Sequence, residues 1–155
     1  MFDLYEEFKA IVSALEEHGI DYAVCGGLAM AVHGFPRATV DIDLLILPEA
    51  LEEAKRTARG LGFTIEAFPM TFAKGAMEIR RLSKIDPDTG IVLSLDMLLV
   101  TPQIVDIWQS RGEVEWESGR LMVVSRRGLI ALKSERSSLQ DLADIQRLKE
   151  EENEG

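Results

Sequence analysis

The chain has 155 residues, 46% of them hydrophobic and 28% charged, with a formal net charge of −10. That length fits one domain with a real core, and no apolar run approaches the roughly 20 residues a membrane-spanning helix needs. Proteins that grip a nucleic acid along its backbone carry a basic surface, so the acidic balance argues against extended DNA or RNA binding and leaves room only for a local basic cleft.

Residues 2–18 place Leu4, Phe8, Ile11, Val12 and Leu15 at helical spacing, with Gly19 suited to the helix end. The opening MFDLYEEFKAIV is acidic and amphipathic, unlike a signal peptide. The single cysteine, Cys25, rules out an internal disulfide and fits a reducing cytoplasm, the expected location. Its apolar setting, YAVC, reads as a core thiol. DYAVC is a short strand that Gly26 and Gly27 break, and LAMAVH is a short helix closed by Gly34 and Pro36. VDIDLLIL reads as a strand whose apolar end is buried on both faces. Pro48 then opens a helix that runs to about Gly60.

The pattern turns to strands from GFTIEAF onward. AMEIRRLSKI and IVLSLDMLLV flank the turn DPDTG and form a hairpin. Thr101 and Pro102 open a helix, and EVEWESGRLMVV is a smaller hairpin around Ser118-Gly119. Ser125 opens one closing helix and Ser137-Ser138 the other. The expected architecture is a single α/β (α+β) domain over residues 1–150, a mixed sheet flanked by helices, followed by a frayed acidic tail at 151–155.

Two aspartates enter the strand VDIDLLIL. On a strand, Asp41 and Asp43 point to one face, about 6.5–7 Å apart along the chain. Carboxylates that close repel unless a positive charge lies between them, and Mg²⁺ binds through one or two carboxylates plus substrate phosphates. A solvated strand end is the plainer reading of the triplet alone. Gly26-Gly27, at a strand-to-helix junction, adds backbone that can approach an anion, although a tight turn also needs glycine. Asp96 interrupts an otherwise apolar strand, and a buried carboxylate needs a partner. It either faces a cleft or pairs with an arginine; a hairpin symmetric about Asp88 puts Arg80 opposite it.

The compound pattern, GG followed by thirteen residues and then DIDL, resembles the signature of the DNA polymerase β-like nucleotidyltransferases. GGLAMAVHGFPRATVDIDLLI looks most like the small stand-alone prokaryotic members, toxin–antitoxin modules among them, and the likeness recurs near SLDML and LIALKSERSSLQDLADIQRL. The resemblance implies an enzyme of nucleotidyltransferase-like fold in which Asp41, Asp43 and Asp96 hold Mg²⁺ (or Mn²⁺). It implies that Gly26 and Gly27 bind the NTP, and that Lys133 matches a C-terminal lysine reaching the triphosphate. Snorkelling from a core-facing helix is the competing account of Lys133. Arg37, on a short loop, either contacts phosphate or is an ordinary surface arginine. Many active members carry serine at position 27. The implied reaction moves a nucleoside monophosphate from an NTP to an acceptor protein or RNA end, with no membrane involved and a partner protein from a paired module possible. The alternative is a non-catalytic, nucleotide-binding regulatory or antitoxin protein of the same fold. Asp141 reads as a helix-start acid and Asp144 as a surface charge.

Overall fold

The computed structural model describes residues 3–34, 41–136 and 139–154. Asp3 opens α1 (Leu4–Glu17) by accepting from the backbone N–H groups of Tyr5 and Glu6 at 3.0 and 3.3 Å. The face that the spacing of Phe8, Ile11, Val12 and Leu15 builds is buried. β1 (Ala23–Cys25) runs straight into α2 (Gly26–Val32), so the two glycines form the helix's first turn and not a separate break. β2 (Asp41–Ile46) follows, and then α3 (Leu51–Gly60).

The middle of the chain adds β3 (Ile65–Glu66), β4 (Met70–Phe72), β5 (Met77–Ile85) and β6 (Val92–Leu99). After α4 (Val105–Gln109) come β7 (Gly112–Trp116), β8 (Gly119–Val123), α5 (Arg126–Arg136) and α6 (Leu139–Glu154). Both helix-opening prolines begin a short 3₁₀ turn, Pro48–Ala50 and Pro102–Ile104, before the α-helix proper. Thr101 does not cap its turn, because its hydroxyl donates across the fold to the Ala76 carbonyl at 2.7 Å. The Ser125 hydroxyl does cap α5, accepting from the Gly128 N–H at 3.0 Å. The Ser137-Ser138 start expected for the last helix lies outside the described residues.

These strands form one mixed sheet in the order β3-β5-β6-β2-β1-β8-β7, with β4 also paired to β5. β2 runs parallel to β6 and antiparallel to β1, and β5 runs antiparallel to β6. Side chains alternate faces along each strand, so the sheet sorts its residues into two layers. On one face Lys84 bonds Glu7 of α1 at 2.6 Å and donates to the Leu61 carbonyl at the end of α3. On the other face Leu129 and Leu132 of α5 approach Met77 and Leu98. Among the described residues no helix is long and apolar enough to cross a membrane.

The β5–β6 register corrects one expectation. Residues 86–91 separate the paired Ile85 and Val92, which places the centre of the hairpin between Asp88 and Thr89. Arg81, not Arg80, therefore stands opposite Asp96, and Arg80 stands opposite Met97. The turn holds that register itself: the Asp86 N–H donates to the Ile91 carbonyl, and Asp86 Oδ1 accepts from the Asp88 N–H, both at 2.9 Å. A one-residue slip sends every side chain to the opposite face, so the difference decides which arginine meets the carboxylate.

Candidate active site

Three strands bring the charged residues together. Asp41 and Asp43 share a face at the start of β2, and Asp43 is paired in parallel register with Asp96 on β6. Asp96 in turn faces Arg81 on β5. With neighbouring strands about 4.8 Å apart, one row across the sheet reads Asp43, Asp96, Arg81. The next row reads Asp41, Ser94, Ser83, and the two serine hydroxyls lie 3.0 Å apart.

Asp96 is 3% exposed and has both oxygens engaged. Arg81 Nε and Nη2 donate to Oδ1 and Oδ2 at 2.6 and 2.9 Å, the planar two-point grip that guanidinium and carboxylate favour. The Asp96 hydrogen bonds raise the Arg81 pKa above its ordinary value, against the cost of partial burial, and the fields of Asp96, Asp41 and Asp43 add to the rise. Arg81 thus feels all three carboxylates.

Gly26 shows how closely the chain is built around Asp43. Its φ is +66°, a left-handed conformation that costs a residue with a side chain, and a Cβ there would fall on the Asp43 carboxylate. Gly27 lies buried in the same helical turn. His33, which ends α2, has Nε2 2.9 Å from the Val124 carbonyl oxygen, tying the helix to the chain entering α5.

Lys133 also reaches this region. It lines a cavity of about 20 Å³, room for a single water, together with Cys25, Gly26, Asp43 and Asp141. Yet the lysine is only 4% exposed, and its ammonium pairs with Asp144 at 2.9 Å and Asp141 at 3.6 Å. Asp144 is 0% exposed, which corrects the expectation of a surface charge. The cause is spacing: Asp141, Asp144 and the buried Ile145 and Leu148 recur on one inward stripe of α6.

Of the residues singled out from the sequence, Gly26, Gly27, Asp41, Asp43, Asp96 and Lys133 are described, whereas Arg37 lies outside the described residues. Sequence reasoning missed Arg81, whose only signal was an arginine pair in an alternating strand. It also missed the pairing of Lys133 with Asp141 and Asp144, for which the helical spacing of the two acids was the available sign.

Of the three carboxylates expected to hold Mg²⁺, Asp41 and Asp43 share one face of β2, and Asp96 beside them has both oxygens bonded to Arg81. Among the described residues no group of three or more His, Cys, Asp or Glu side chains is arranged to hold a metal ion. Asp41 and Asp43 do match a hard cation that takes one or two carboxylates and completes its octahedron with water and substrate oxygens.

No family model matches the sequence, and no curated protein matches it significantly. Solved structures do match. The lincosamide antibiotic adenylyltransferase LnuA, bound to lincomycin, is similar with a TM-score of 0.64 at 16% identity, over 93% of this chain and 95% of that one. A Thermotoga maritima protein, TM1012, named as a candidate nucleotidyltransferase, gives 0.59 at 17% identity over 98% and 94%. ANT(2")-Ia, in complex with adenylyl-2"-tobramycin, gives 0.60 at 16% identity over 90% and 83%. The mixed sheet flanked by helices described above is the fold these nucleotidyltransferase structures share.

Proposed function

We propose that the chain is a nucleotidyltransferase that moves a nucleoside monophosphate from an NTP to a hydroxyl-bearing acceptor. The observation that carries this reading is the Asp41–Asp43 pair set against Gly26, beside Asp96 and Arg81, on a sheet of nucleotidyltransferase topology. Asp41 and Asp43 would hold Mg²⁺ or Mn²⁺ together with the phosphates of the NTP. Bound there, the ion would offset the charge of the triphosphate and of the leaving pyrophosphate. Gly26 lets the backbone pass against Asp43, and Gly27 continues that turn where a phosphate would approach. Asp96 fixes Arg81 at the rim of the carboxylates. Lys133 balances Asp141 and Asp144 behind the site, so its part is to support Asp43's surroundings more than to reach the triphosphate.

The acceptor follows from chemistry rather than from sequence. A protein hydroxyl or an RNA end fits the donor chemistry, and in a paired module the acceptor would belong to the partner or its target. LnuA and ANT(2")-Ia carry antibiotics in their structures, which brings a small hydroxylated molecule into the same set. A second reading, a non-catalytic nucleotide-binding protein, is favoured by one observation: Asp96 has both oxygens on Arg81.

One experiment separates these. Each labelled NTP is incubated with the protein and Mg²⁺ or Mn²⁺, in parallel with cell extract, with RNA and with hydroxylated small molecules. Labelling of one acceptor class by the wild type and of none by Asp43→Asn supports transfer. Nucleotide binding without labelling in any arm supports the non-catalytic reading.

A further inference from the structure

A second cavity, of about 210 Å³, lies at the other end of β1 from Asp43, between the turn that follows α1 and the residues Arg111 and Met122. Tyr22 lines it three residues ahead of Cys25, whose Cα partner is Asp43, so about 10 Å of strand separates the cavity from the carboxylate row. Glu16, Asp21 and Arg111 all stand on its wall. The guanidinium is pinned from behind: Arg111 Nη1 donates to the Trp108 carbonyl at 2.9 Å, and the group stacks 3.9 Å from the centre of the Trp108 ring. Its Nε is buried with no hydrogen-bond partner. Among the described residues neither Arg111 nor Asp21 enters an ion pair, and Glu16 accepts from the Tyr22 hydroxyl at 3.0 Å through Oε1. The last turn of α1 carries Glu16 and Glu17 and no basic residue, although the carbonyl end of a helix favours positive charge.

We propose that this cavity binds a small zwitterion of amino-acid type, its carboxylate on Arg111 and its ammonium on Asp21 and Glu16 at the end of α1. One cavity offers both signs of charge, and they form no ion pair with each other across it, so a ligand carrying both signs satisfies each at once. A lone anion would meet two carboxylates, and a lone cation would leave the guanidinium facing it. The volume falls below the range of about 300–1,000 Å³ that drug-sized ligands occupy, which limits the occupant to a few heavy atoms beyond its charged ends. Ile20 and Met122 give that remainder an apolar wall. Because the guanidinium is already held in place, little side-chain freedom is lost when a carboxylate binds it. The site stands outside the nucleotidyltransferase reading and does not depend on it.

NMR titration of the full chain tests this, read at the Trp108 indole N–H and the Met122 amide. Three molecules of one skeleton serve as probes: L-valine, isobutylamine (valine without its carboxylate) and isovalerate (valine without its ammonium). L-valine should shift both signals to saturation, and each truncated probe should bind about tenfold more weakly or worse, having lost one charged contact. Asp21→Asn, at an exposed position, should weaken L-valine by about three- to tenfold and leave isovalerate no weaker. Arg111→Met should weaken L-valine by about tenfold or more and leave isobutylamine no weaker. Where Arg111→Met fails to fold, Arg111→Lys replaces it: the charge remains without the planar fork, and the loss should be smaller. Isobutylamine or isovalerate binding as tightly as L-valine overturns the proposal, for the site then takes a single charge. L-valine affinity indifferent to both substitutions, or no shift up to about 50 mM, overturns it as well.

Discussion

Two cation–carboxylate clusters flank Asp43, and they differ in what surrounds them. Lys133 of α5 pairs with Asp141 and Asp144 of α6, its side chain 5% exposed. Arg81 holds Asp96 on the sheet, with its own side chain 37% exposed. The charges are alike, but the first cluster is sealed and the second opens to solvent at one end. A sealed cluster can lend the fold specificity, yet it cannot exchange its partners without unpacking. An open one can meet a substrate. Burial, more than residue type, separates the supporting lysine from the arginine at the rim.

The sharpest way to break this comparison is Lys133→Met. It keeps the stem's bulk and removes a cation from two buried carboxylates, which should cost about 3–5 kcal/mol in urea unfolding. Adding Asp141→Asn and Asp144→Leu should restore much of that loss, because replacing a buried ion cluster as a whole is far milder than halving it. An unchanged midpoint for the single variant would mean that water already reaches the carboxylates, and the cluster would not be sealed.

Arg81→Met should cost less, about 1–3 kcal/mol, since Arg81 is itself 37% exposed and its removal opens a path for water to the buried Asp96. The two unfolding curves, measured side by side, test the ranking directly. A loss equal to that of Lys133→Met would erase the distinction between the clusters.

Gly26 lies between them, lining the cavity with Lys133 while its backbone rests against Asp43. Gly26→Ala forces a side chain into a left-handed conformation, at a cost of about 1–2 kcal/mol. It also pushes the Asp43 carboxylate aside, so Mn²⁺ binding should fall more steeply than stability. Equal Mn²⁺ affinity in the variant would show that Asp43 is not held where the glycine permits.

Much of this was legible in the chain itself, and the limits have physical causes. The amphipathic face of α1, the strand carrying Asp41 and Asp43, the hairpin through residues 86–91 and the Ser125 cap all follow from local spacing and turn chemistry. β4 was missed because its burial carries no alternation: Met70 is half-buried and Thr71 and Phe72 are exposed, on a strand with β5 as its partner. The arginine opposite Asp96 depended on half a residue in the centre of a turn, which composition does not resolve. Asp144 looked like surface because the penalty for burying it is cancelled by Lys133, and a partner eleven residues upstream on another helix leaves no local trace.

The smallest effect belongs to a third cluster, nearer the surface, in which the carboxylate itself is 40% exposed. Glu66 on β3 pairs with Lys55 at 2.5 Å and Arg59 at 3.0 Å, both on α3. Such pairs gain little, because water screens the attraction and two long side chains must be held still, so Glu66→Gln should cost about 0.2–1 kcal/mol. The Lys55 hydrogen bond, against a smaller opposing effect of burial and aided by Arg59, holds the Glu66 carboxyl below its ordinary pKa. A depressed folded value means that the stabilisation is present above the ordinary carboxylate pKa and is lost as pH falls through the lower folded one. The difference between wild type and Glu66→Gln should therefore be constant at neutral pH and fade in acid. It should also shrink in high salt, which the sealed Lys133 cluster would resist. Urea unfolding of both proteins across that pH range, at low and high salt, gives the answer. A Glu66→Gln loss as large as that of Arg81→Met, or one indifferent to salt, would show that exposure does not set the order of the three.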